Sequence, residues 1–91
     1  MKRKKVHYVY SEQVINNVLR PLASPSGPGV LNSDQLTQAT QMPKEQVDAI
    51  LEECVRDGRI KVSVLARPKR ALHKVPYYGI TEKGRTSYQL H

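Results

Sequence analysis

The chain has no tryptophan, no phenylalanine and a single cysteine among its 91 residues. Each scarcity excludes something. One thiol, Cys54, cannot form an internal disulfide, so the cell interior (cytoplasm, or the nucleoid of a bacterium) is the expected setting. With five tyrosines as the whole aromatic content, Tyr77, Tyr78 and Tyr88 are expected in the core or at an interface, where their volume is needed. No apolar run is long enough to cross a bilayer. The basic start "MKRKK" is followed by "VHYVYSEQ" and not by an apolar signal core. His7, His73 and His91 lie far apart and lack neighbours at metal-ligand spacing. "GPG" at 27–29 has no Lys-Ser/Thr after it and makes no phosphate loop. No nucleophile stands with a base and an orienting third group. The expectation is a protein without enzymatic activity, metal or cofactor, in one small domain.

What the sequence does have is charge, unevenly placed. The net charge is +7. Residues 1–10 hold four bases and no acid, residues 11–58 three bases and seven acids, and residues 59–91 eight bases and one acid. A mildly acidic centre between two basic ends favours a polyanionic partner. Nucleic acid is preferred over a membrane surface, because no helix opposes a basic polar face to a strong apolar one.

Apolar spacing sorts the chain into elements. "SEQVINNVLRPL" places Val14, Ile15, Val18, Leu19 and Leu22 at helical intervals, with Ser11 as N-cap and an end near Arg20 imposed by Pro21. "ASPSGPG" is a loop, residues 30–31 a short extended piece, and "NSDQLTQAT" a second helix capped by Asn32 or Ser33. The third helix has Pro43 at its first position, an apolar stripe of Val47, Ile50, Leu51, Cys54 and Val55, and Gly58 to close it. "IKVSVLA" alternates as a half-buried strand, and "ALHKVPYYGI" returns after "RPKR", with Pro76 marking an edge or an irregularity. Thr81 can cap a short last helix, which Gly84 weakens.

Helix, short strand, helix, turn, helix and basic hairpin is an order that resembles the winged helix-turn-helix family. The segments that carry the resemblance are "LNSDQLTQATQMPKEQVDAILEECVRDGRI" and "YYGITEKGR". The second is similar to the "Y-x-(Leu/Ile)-T-x-K-G-R" ending of bacterial transcription regulators. The match covers roughly residues 12–88 and rests on order and spacing. It implies an α+β winged helix, a three-helix bundle with a small antiparallel hairpin wing, over residues 11–91, preceded by a basic arm at 1–10. It also implies double-stranded DNA as partner, with the third helix in the major groove and the wing on the backbone or minor groove. Two features depart from the family pattern. The turn "TQM" has no glycine, so any positive φ there would fall on Gln41 or a neighbour, at a strain glycine would avoid. The third helix also carries Glu45, Asp48, Glu52, Glu53 and Asp57.

Those acids have a local explanation. Glu45 lies in the first turn, where negative charge is favoured by roughly 0.3–1 kcal/mol. Lys44–Asp48 and Glu52–Arg56 are i,i+4 pairs worth a few tenths of a kcal/mol. Neither effect cancels repulsion from phosphates, so this helix is expected to contribute selectivity through Lys44 and Gln46. Affinity is expected from Arg67, Lys69, Arg70 and Lys74 in the hairpin and from Lys2, Arg3, Lys4 and Lys5 in the arm. Two further partners fit the sequence. A protein can use the acidic face of the third helix, and a homodimer can form through "VHYVY", the first helix, or Tyr88 and Leu90.

Overall fold

Ser11 turns the chain into its first helix by accepting the Val14 N–H on its hydroxyl at 3.2 Å. The computed structural model describes residues 10–89, and helix α1 spans Glu12–Ala23. α1 continues past Arg20, contrary to the expectation, with Pro21 inside it. An interior proline costs about 3 kcal/mol where it removes a hydrogen bond and clashes with the preceding turn. Here it stands in the last turn, and carrying the helix on seats Leu22 in the core at 1% exposure. That burial contributes about 1.5–3 kcal/mol, enough to hold the extra residues.

Strand β1, Leu31–Asn32, leads directly into α2, Ser33–Thr40. Asn32 is the cap. Its side-chain oxygen accepts the Gln35 N–H at 2.8 Å, and the Gln35 side chain accepts the Asn32 N–H at 3.0 Å, a reciprocal box that satisfies two otherwise orphan donors. Gln41 ends α2 at φ 59, in the left-handed region, with its N–H on the Thr37 carbonyl. Left-handed backbone costs an L-residue about 1–2 kcal/mol. Gln41→Gly removes that strain but loosens the unfolded chain. A net gain of about 0.5 kcal/mol is expected in urea denaturation, and an equal loss would mean that the glutamine side chain itself holds the turn.

Helix α3 spans Lys44–Asp57, and Pro43 stands one position before the expected one, as its cap residue. The Pro43 carbonyl accepts from Gln46 and Val47, both at 3.0 Å. Val47, Ile50, Leu51 and Cys54 are buried, whereas Val55, the fifth member of the stripe, is 38% exposed. Gly58 closes the helix at φ 88. Burial pushes the Cys54 thiol up to about 11. Two results follow. Alkylation at pH 8 is expected only at the rate of unfolding, and fast modification of the native protein would contradict the burial. Between the ordinary thiol value and about 11 the unfolded state ionises first, so stability falls as pH rises through that window.

The sheet is antiparallel with order β1-β3-β2, where β2 is Ile60–Ala66 and β3 is Val75–Ile80. β2 was expected to be half-buried, but only Ile60 is buried; Val62, Val64 and Leu65 are 47%, 48% and 59% exposed. Ile60–Ile80 is the last pair with both members in the core; Tyr78 still packs on it and β1 flanks β3 to Tyr77, and past these the two strands continue as a hairpin. β1 covers β3 only at Tyr77 and Tyr78, so Pro76 lies just past the flanking strand, where its missing N–H leaves no gap in the β1 ladder. A bulge between Val62 and Val64 shifts the register. It breaks the simple alternation: Val62 opposite Tyr78 and Leu65 opposite Pro76 share one face, and Val64 opposite Tyr77 takes the other.

Thr81 caps α4, Glu82–Gln89, by accepting the Gly84 N–H at 3.0 Å. Gly84 is not the weakness expected of it. A Cβ there would stand 2.1 Å from the Arg59 carbonyl oxygen and 2.8 Å from Ile80 Cγ1. The same junction carries Arg59, whose side chain is 11% exposed. It makes a two-pronged contact with Glu12 at 3.1 and 3.2 Å and donates to Asp57 at 2.8 Å. The start of α1, the end of α3, the start of β2 and the start of α4 thus meet at residues 57–59, above a core of Ile15, Val18, Leu19, Leu36, Val47, Ile50 and Leu51.

Candidate nucleic-acid interface

Four of the expected basic residues stand in one short connection of the hairpin. Arg67, Lys69, Arg70 and Lys74 are all exposed in the connection between β2 and β3. None of them makes an ion pair among the described residues, where the bridges involve other cations. The connection is shaped by a four-residue turn closed by the Ala71 N–H on the Pro68 carbonyl at 3.0 Å. Arg70 lies in that turn at φ 70, in the left-handed region. A turn that tight, carrying a strained arginine where glycine is favoured, sets three cations within four residues of chain. Lys61, exposed on β2 opposite Gly79, adds a fifth cation at the foot of the hairpin, away from the turn. Sequence reasoning passed over it because strand alternation alone accounts for a polar residue there.

Lys44 is differently placed. It opens α3 and is held by Asp34 at 3.1 Å, Ser33 at 3.1 Å and Asp48 at 3.8 Å. Ser33 in turn donates to Asp48. The hydrogen bond to Asp34 raises the Lys44 pKa, with Asp48 adding to it against some desolvation. The signal for this was legible only in part: Asp48 stands at i+4, but Asp34 and Ser33 come from the first turn of α2, 10 and 11 residues away. A phosphate or base would have to compete with two carboxylates for this ammonium. Gln46, on the same turn, is half-buried. Lys44 lines a hollow with Val75 and Pro76 of β3, but its charge there is shared with Asp34 and Asp48. Lys2, Arg3, Lys4 and Lys5 lie outside the described residues.

The remaining surface of α3 is acidic. Glu45, Asp48 and Glu52 are exposed, and among the described residues Glu52 pairs with Arg56 at 3.8 Å, a surface pair worth little. Between α3 and the inner face of the hairpin runs a groove of about 360 Å³ lined by Asp48, Glu52, Val55, Val62 and Tyr78. A neighbouring hollow of about 320 Å³ shares Asp48 and Tyr78 and extends the groove past Lys44 to Val75 and Pro76. Burial raises the Tyr78 phenol above its ordinary range, so it is a neutral hydroxyl at physiological pH. Among the described residues no group of three or more His, Cys, Asp or Glu is placed to hold a metal ion, and no helix is long and apolar enough to cross a membrane.

No protein-family model matches this chain, and no curated protein matches it. The described residues form an α+β fold, with four helices and a three-stranded antiparallel sheet.

Proposed function

We propose that this chain binds double-stranded DNA through its projecting hairpin, as a small transcription regulator of winged-helix type. The observation that carries the reading is the set of exposed hairpin cations, Lys61, Arg67, Lys69, Arg70 and Lys74, with no carboxylate partner among the described residues. Cations held away from their own acids lose little on meeting phosphates, and each contact releases condensed counterions. The element order supports the winged-helix reading, with α2 and α3 as its helix-turn-helix and β2–β3 as its wing.

On this reading the work is divided unevenly. Lys44 is already held by two carboxylates, and Glu45 and Glu52 face outward on the helix that would enter the groove. The hairpin supplies affinity; α3 supplies at most a selective contact. Fluorescence anisotropy of a labelled random duplex, titrated at several salt concentrations, tests this. Four or five phosphate contacts give a log–log salt slope of about −4. Absence of binding at 50 mM salt would overturn the reading.

A further inference from the structure

The inner face of the hairpin carries a gradient. At its base, beside Val62, stand the carboxylates Asp48 and Glu52 of α3, exposed and each with one cation of its own chain 3.8 Å away, Lys44 and Arg56, surface pairs that a second copy's cations can exchange with. In its middle the bulge brings Val62 and Leu65, 47% and 59% exposed, to the same face. At its tip are Arg67, Lys69 and Arg70. Acidic, apolar and basic zones in that order are complementary to themselves when reversed. We propose that two copies of this chain associate through this face about a two-fold axis, with the hairpins antiparallel and the basic tip of each in the acidic groove of the other.

A two-fold interface requires one patch that fits its own reverse, and this gradient meets that condition. From Val62 to Arg67 the strand advances roughly 17 Å at about 3.3 Å per residue. The axis then passes through the apolar middle, and Leu65 and Val62 of one copy cover those of the other. Exposed apolar residues on a projecting edge hairpin otherwise call for protection, and β2, an outer strand of the sheet, has Lys61 as its one charged residue. Two chains of charge +7 repel at a distance. At about 0.15 M salt the Debye length is near 8 Å, so the repulsion between distant charges is screened while the tip-to-groove contacts persist. The dimer is thus expected at physiological salt and is weakened near 1 M, where the screening length is about 3 Å. Because the tip is also the proposed DNA contact, association and DNA binding compete for it. The dimer itself does not depend on that DNA reading.

The test is sedimentation equilibrium of the full chain at 0.15 M salt without DNA. Wild type is expected to reach twice the mass of one chain. Two charge-reversed proteins are compared with it, the groove protein Asp48→Lys/Glu52→Lys and the tip protein Arg67→Glu/Lys69→Glu/Arg70→Glu. Each alone sets like charges against each other and is expected to remain monomeric. Their equimolar mixture sets opposite charges together at both ends and is expected to form a heterodimer. Leu65→Asp, at a site too exposed to unfold the chain, is expected to abolish association as well. A wild type that stays monomeric to millimolar concentration overturns the proposal. So does a dimer that survives in the tip protein and in Leu65→Asp, because it would use another surface.

Discussion

Gly84→Ala is expected to destabilise the domain by about 3 kcal/mol or more, at or beyond the top of the usual overpacking range. The reason is the identity of the atom that a Cβ would meet. The Arg59 carbonyl oxygen would be 2.1 Å away, and it already accepts the Thr81 N–H at 2.9 Å. A side chain could rotate aside; this backbone carbonyl is fixed on both sides. α4 would have to lift off, and with it the Thr81 cap, the Lys83 contact to the Asp57 carbonyl and the packing of Tyr88. For a chain of this size the whole folding free energy is about 5–14 kcal/mol, so such a loss is a large share of it. Gly27→Ala is the control. Its Cβ would come no closer than 3.3 Å to a neighbour, and its cost is expected under about 1 kcal/mol. Urea denaturation of the two variants beside the wild type measures the difference. A Gly84→Ala cost as small as that of Gly27→Ala would contradict the close approach of α4 to Arg59.

The second large effect concerns binding. Replacing Arg67, Lys69 and Arg70 together by alanine is expected to flatten the salt slope by nearly three, at about 0.9 per phosphate contact. Affinity should fall on every duplex tested, because phosphate contacts carry no base information. Stability should change by no more than about 0.5 kcal/mol, since the three side chains are exposed and make no ion pair among the described residues. Neutralising the acids of α3 by Glu45→Gln/Glu52→Gln is expected to act the other way and tighten binding, by removing repulsion from phosphates. Loss of binding in that variant, with the hairpin variant unaffected, would instead fit a basic protein partner on the acidic helix.

Much of the fold was readable because local rules and burial agreed. The stripe from Val47 to Cys54, the left-handed Gly58 and the Ser11 cap each follow from spacing or side-chain chemistry alone. Gln41 was readable only as a condition: if the glycine-free turn needs positive φ, Gln41 or a neighbour bears the strain, and Gln41 takes φ 59. The errors share one cause, which is contact between residues distant in sequence. Gly84 looked like a poor helix residue until the Arg59 carbonyl was beside it. Pro21 looked like a helix end until Leu22 was in the core. β2 read as half-buried because alternation cannot tell that the helices stop at Ile60. The hairpin cations were legible as a cluster because they are local. The capture of Lys44 by Asp34 was not, because it joins two helices across a turn.

The proposal of a hairpin-led grip on DNA is tested most directly by amide shift mapping. A ¹⁵N-labelled sample is titrated with a random 12-base-pair duplex at 50 mM salt, and the perturbations are compared between residues 61–74 and residues 44–53. Binding through the hairpin predicts the largest shifts at Lys61, Arg67, Lys69, Arg70 and Lys74, with smaller ones on the first turn of α3. Dominant shifts along α3, with the turn from Pro68 to Ala71 unmoved, would contradict it.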